Sequence, residues 1–179
     1  AGDRYGTSVA ISSDTVIIGS PYDDHAATDS GSATIFEFQD GEWHAERITA
    51  LEAGAGDLFG SSVAISGDTA VVGSPFDDAG GTDAGAAYII QRSGGEWYPE
   101  LVTASQSAPG DRFGSCVAIS GDRAVLGAPG HANGSGAAYV FERNDSNVWM
   151  TEEMLAASDG SDFALFGAAV SLSGDTAVI

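Results

Sequence analysis

A chain of 179 residues, 43% of them apolar, is long and apolar enough to build one packed domain, which argues against disorder. Its 26 acidic residues oppose 6 basic ones for a net charge of −20, a field of the wrong sign for nucleic acid. The longest apolar stretch, from Phe163 to Val170, falls far short of the roughly 18 residues of a membrane-spanning helix.

In chain order, the first signal is Gly2-Asp3-Arg4-Tyr5-Gly6, which returns as Gly56-Asp57-Leu58-Phe59-Gly60 and Gly110-Asp111-Arg112-Phe113-Gly114, a step of 54 residues each time. A degenerate copy ends at Phe166-Gly167. Pro21, Pro75 and Pro129 keep the same step, and Trp43, Trp97 and Trp149 nearly so. The second unit is the clearest. Its segment from Phe59 to Ser66 alternates larger and smaller residues and predicts a strand. Ser66-Gly67-Asp68 predicts a tight turn into a second strand from Thr69 to Gly73, stopped by Ser74-Pro75. A polar loop from Phe76 to Asp83 precedes a third strand from Ala86 to Arg92, and Ser93-Gly94-Gly95 turns the chain into a fourth from Glu96 to Thr103.

Four antiparallel strands per unit make a blade that buries too little surface alone and must stack on its neighbours. The small residues Gly60, Ser62, Ala64 and Ser66 suit a first strand near an axis where blades converge. The predicted fold is an all-β propeller of about 54-residue blades, with residues 1–55, 56–109 and 110–161 as complete blades and 162–179 as part of a fourth. A sandwich or barrel is the alternative. Since Thr176-Ala177-Val178-Ile179 aligns with Thr69-Ala70-Val71-Val72, further blades are expected, from a longer parent of roughly seven blades or from another copy.

Phe59-Gly60 followed by Val72-Gly73-Ser74-Pro75, and Phe113-Gly114 followed by Leu126-Gly127-Ala128-Pro129, resemble the paired signature of FG-GAP repeats. The resemblance spans the chain and implies propeller blades, as in the head of integrin α chains and in secreted microbial proteins, with an extracellular setting. Integrin-type members often carry an Asp-rich calcium loop between the first two strands. Here that connection is only Ser12-Ser13-Asp14, Ser66-Gly67-Asp68, Ser120-Gly121-Asp122 or Ser173-Gly174-Asp175, and one carboxylate cannot supply the six to eight oxygens calcium prefers.

The remaining candidates for calcium are the loops after the prolines, with Asp23, Asp24 and Asp29 in the first repeat and Asp77, Asp78 and Asp83 in the second. Solvated acids are the alternative, because the third loop, Gly130 to Gly134, has no acid. Asp3, Asp57 and Asp111 are expected to accept hydrogen bonds from their own turns. The tryptophans suit blade packing or an exposed edge better than a stacking platform for a ligand, and Cys116, in register with Ser8 and Ser62, is assigned to a buried inert thiol. Asn133 and Asn144 head glycosylation sequons.

His25, His44 and His131 form no repeated cluster, and no catalytic constellation emerges, so no enzyme is expected. The leading function is an extracellular or cell-surface adhesion module binding a protein or glycan through its loops. A structural subunit of a surface layer and an accessory domain of a secreted hydrolase are the alternatives. All six basic residues are arginine, and lysine is absent. With so strong an acidic excess, this points to a high-salt habitat or, more simply, to solubility.

Overall fold

Short polar turns reverse the chain every few residues, and the resulting strands are too short to form a core unless sheets stack. The computed structural model describes residues 2–179, the side chains of 150–152 excepted. Strands β1 (Ser8–Ser12), β2 (Thr15–Ser20), β3 (Ser32–Gln39) and β4 (Glu42–Ile48) form the first antiparallel sheet in that order. The second contains β5 (Ser62–Ser66), β6 (Thr69–Ser74), β7 (Ala86–Ser93) and β8 (Glu96–Val102). The third contains β9 (Cys116–Ser120), β10 (Arg123–Ala128), β11 (Ala137–Arg143) and β12 (Trp149–Leu155). β13 (Ser171–Ser173) and β14 (Thr176–Val178) make a hairpin from the fourth repeat. The three sheets and the hairpin form an open, all-β series among the described residues.

The first strand of each blade lies against that of the next, β1 on β5, β5 on β9 and β9 on β13, which puts the small residues of the repeat on the inside. Two apolar clusters fill the seams. Ile17 and Ile35 of blade 1 meet Val72 and Ile90 of blade 2, while Val71 and Ile89 of blade 2 meet Leu126 and Phe141 of blade 3. Consecutive residues Val71 and Val72 thus serve opposite seams, and every residue of β6 is buried. That is why the strand reads as a nearly continuous apolar run instead of alternating. Each fully buried valine or isoleucine contributes about 1.5–3 kcal/mol relative to exposure.

The two sequence signatures are the halves of one seam contact. The Gly60 N–H donates to the Gly73 carbonyl of its own blade at 3.0 Å, and its carbonyl accepts the Ser8 hydroxyl of the preceding blade at 2.7 Å. Gly114 repeats this with Gly127 and Ser62. A Cβ at Gly60 would lie 2.3 Å from the Ser32 carbonyl, and its φ of +90° is one that side chains rarely adopt, so glycine is required twice over. The aromatic partner is buried beside it: the Phe59 amide donates to Ser30 O at 2.9 Å, and its ring meets Tyr88 edge-on at 5.1 Å.

Candidate functional site

The loops after the prolines carry the acidic residues that the sequence offers for a cation, and their first task is visible in the hydrogen bonds. Asp23 Oδ1 accepts the His25 amide and Asp24 Oδ1 the Asp29 amide, each at 2.8 Å. Asp77 and Asp78 do the same for Ala79 and Asp83 at the same distance. Such bonds hold a polar loop in one shape. Asp29 and Asp83 take a positive φ of 51°, and their carbonyls accept the amides of Leu58 and Arg112 from the next blade. The second half of each loop is therefore a stitch between blades. Among the described residues, no three or more His, Cys, Asp or Glu side chains are grouped to hold a metal ion.

The shortened first hairpins are also occupied. The hydroxyls of Ser12, Ser66 and Ser120 accept the amides of Gly67, Gly121 and Gly174 from the following blade at 3.0–3.1 Å. Asp122 pairs with Arg143 and Asp175 with Arg123, while Asp68 lies 3.9 Å from Arg92. All six arginines are engaged, because Arg47 meets Asp23, and Arg4 and Arg112 lie over the rings of Tyr22 and Phe76.

Asp23, Asp77 and His131 share one register at the 54-residue step, and the chain solves the same burial problem differently in each blade. In blade 1, Asp23 accepts the Ser32 hydroxyl at 2.6 Å and faces Arg47 at 3.6 Å. Burial pushes its carboxyl up, but the Ser32 hydroxyl, the His25 amide and Arg47 together outweigh burial and hold it below its ordinary value. In blade 3, His131 Nδ1 lies 3.0 Å from Asp111 Oδ2. Blade 2 has neither partner. Leu101 stands in the register of Arg47, and Asp57, Asp77, Asp78 and Glu52 line a pocket of about 330 Å³ with Tyr88 and Leu101.

Asp57 and Asp77 are both buried there. Burial pushes Asp57 up against the Gly54 amide, helped by the charges of Asp77 and Asp78. Burial likewise pushes Asp77 up against the Ala79 amide and the Tyr88 hydroxyl, helped by Asp78 and Glu52. A carboxyl whose pKa rises on folding adds stability while protonated, and that stability is lost as the pH climbs through the folded-state value. Asp77→Asn should therefore raise the melting temperature at pH 7 by roughly 2–4 °C. The gain should vanish near pH ~4, where the unfolded carboxyl also protonates. Melts across a pH series check this, and an equal gain at both pH values would exclude the electrostatic cause.

Other predicted positions fall as follows. Asp57 and Asp111 accept the amides of Gly54 and Ala108 at 2.7 and 3.0 Å, the expected turn role. The partly buried Cys116 thiol points at the Gly167 carbonyl at 2.8 Å in the place of the Ser8 and Ser62 hydroxyls, and burial pushes its pKa up to about 11. Trp97 and Trp149 are packed, whereas Trp43 is exposed on the open side of blade 1. Asn133 is exposed in the left-handed part of the turn His131–Gly134. Asn144 Oδ1 accepts the amides of Ser146 and Val148. The sequence reading missed the Asp57, Asp77 and His131 relation. Aligning the loops at their prolines, which puts His131 under Asp77, would have revealed it.

No curated protein matches the chain significantly. The FG-GAP repeat does match, four times, over residues 1–36, 44–90, 100–141 and 149–179. The second and third matches contain both the Phe-Gly and the Gly-Ser-Pro or Gly-Ala-Pro elements whose contacts join the blades, and the four together cover most of the sequence. The chain belongs to the FG-GAP repeat family.

Proposed function

We propose that the chain is a non-catalytic, extracellular or cell-surface interaction module that binds a protein or glycan through the tips of its post-proline loops. The observation that carries this reading is a constant frame with changing tips. The loops leave the second strand at the same proline and are stitched to the next blade at the same carbonyls. Between those fixed points the exposed residues are Asp24, His25, Ala26 and Thr28 in one blade, Asp78, Ala79 and Thr82 in the next, and Ala132 and Asn133 in the third. A rigid scaffold with variable exposed loops is the usual geometry of recognition. Membership of the FG-GAP repeat family supports the extracellular setting.

The test is to present the labelled chain to arrays of glycans and surface proteins, beside a variant carrying Asp24→Asn, His25→Ala, Asp78→Asn and Asn133→Gly. Asparagine keeps an oxygen for the loop amides that Asp24 and Asp78 accept and glycine suits the positive φ at Asn133, so the variant should keep its melting temperature and lose binding. Binding that survives all four changes would remove the loops from the interaction.

A further inference from the structure

The outer edges of blades 2 and 3 enclose a groove of about 420 Å³, lined by Gln91, Ser93, Tyr98, Pro99 and Glu100 of blade 2 and by Asn147 of blade 3. Tyr98 is 53% exposed and belongs to neither apolar cluster, whereas its neighbour Trp97 is buried in one. The groove lies beside the turn between β7 and β8, at the opposite ends of the strands from the post-proline loops.

The matching groove between blades 1 and 2 shows what the seam itself needs there. Glu37, His44 and Glu46 stand in the register of Gln91, Tyr98 and Glu100, and Glu37 pairs with Arg92 of the next blade at 3.0 Å. Between blades 2 and 3 an amide pair replaces that ion pair, with Asn147 Nδ2 donating to Gln91 Oε1 at 2.6 Å. Asn147 is fixed from its other side by Arg143 Nη1, which donates to Asn147 Oδ1 at 2.9 Å. These bonds use both amide oxygens and one hydrogen, and leave the other amide hydrogens of the pair as donors held in place. The Tyr98 hydroxyl donates to Glu96 Oε2 at 3.1 Å, which steadies the ring on the edge strand.

We propose that this groove binds a neutral saccharide, with one sugar ring lying on Tyr98 and its hydroxyls bonded to the amides of Gln91 and Asn147 and to the Glu100 carboxylate. A sugar ring presents C–H groups on its faces and, around its rim, hydroxyls that both donate and accept. Tyr98 offers an exposed ring for the face, while the fixed amide donors and the exposed Glu100 acceptor answer the rim. Because bonds within and between the blades already hold these groups, little ordering accompanies binding. Charge and the strand edge narrow the class of ligand. The only charge on the lining is that of Glu100, in a chain of net charge −20, so sulfated and carboxylated sugars are repelled. A partner's strand is disfavoured too, because Pro99 removes an amide donor from the edge strand β8.

The test titrates the isotope-labelled chain with glucose, galactose, mannose, N-acetylglucosamine, lactose and cellobiose at millimolar concentrations, read by NMR at the side-chain amides of Gln91 and Asn147. At least one of these sugars should give saturable shifts at both amides. Tyr98→Ala should weaken its binding roughly ten-fold or more, and Tyr98→Phe should keep most of the affinity, because the ring carries the contact. Tyr98 is exposed, so both variants should keep the melting temperature. The post-proline variant with Asp24→Asn, His25→Ala, Asp78→Asn and Asn133→Gly should bind the sugar unchanged, which separates this groove from the loops. The proposal is overturned if no sugar gives saturable shifts, if the shifts survive Tyr98→Ala, or if the loop variant abolishes them. Equal binding of a sulfated galactose would overturn it as well.

Discussion

Gly73→Ala should lower the stability of the chain by about 3 kcal/mol, seen as a shift of the urea midpoint. The added Cβ meets the Gly114 carbonyl oxygen at 1.9 Å, the Ser62 hydroxyl at 2.4 Å and the Gly114 carbonyl carbon at 2.9 Å. Two of these are main-chain atoms, and the third, the Ser62 hydroxyl, is tied to the Gly114 carbonyl. Gly114 is held by its own N–H bond to Gly127 at 2.9 Å and by the Ser62 hydroxyl on its carbonyl. Relief therefore requires the two sheets to separate, which loosens Val71, Ile89 and Leu126 along the same seam. Gly73 does not have a positive φ, so backbone strain plays no part and the whole loss reports the contact. Gly160→Ala is the control, since its nearest neighbour is the Ala157 carbonyl at an ordinary 3.5 Å, and it should move the midpoint little. Equal losses at the two positions would refute the contact account.

The melting temperature should rise by roughly 10 °C between dilute buffer and about 1 M potassium chloride, where the screening length shrinks from tens of ångströms to about 3 Å. The net charge is −20, and the six arginines are already committed to partners within or between the blades. The remaining acids crowd one another. Burial and the charges of Glu96 and Glu37 push Glu46 up on the outer edge of the first two blades, as burial, helped by Asp77 and Asp78, pushes Asp57 up at the loop end. Screening relieves repulsion in the folded chain more than in the expanded one, so added salt favours folding. Sodium chloride should act like potassium chloride, because the effect is one of ionic strength. A melting temperature that is flat or falls with salt would remove the high-salt reading.

The parts of the molecule legible in the sequence are those that recur. Phe59, Gly60, Gly73 and Pro75 each return at a fixed step, and a contact repeated at every seam leaves a repeated letter. The small residues near the axis were legible for the same reason: Ser8, Ser62 and Cys116 all present a donor to the next blade's glycine carbonyl. What did not show was compensation that differs from blade to blade. The partner of the buried acid is Arg47 for Asp23 in one blade and His131 for Asp111 in another, with Leu101 in the place of Arg47 in the blade between. Each pairing joins residues about 20 or more apart that share no motif, so period alone could not find it. Trp43 illustrates the other limit: its letter recurs with Trp97 and Trp149, but exposure depends on what lies alongside.

A seam made of a glycine Cα, a small hydroxyl and a main-chain carbonyl has a consequence for how such a chain is inherited. Nothing in that contact depends on the outer strands, and those already diverge, from Glu42–Ile48 through Glu96–Val102 to Trp149–Leu155. A duplicated unit arrives with both halves of its joint intact and fits wherever it lands, while its rim is free to drift. Substitutions at exposed rim positions such as Glu100 stay within one blade, whereas a change in one seam glycine is felt by two.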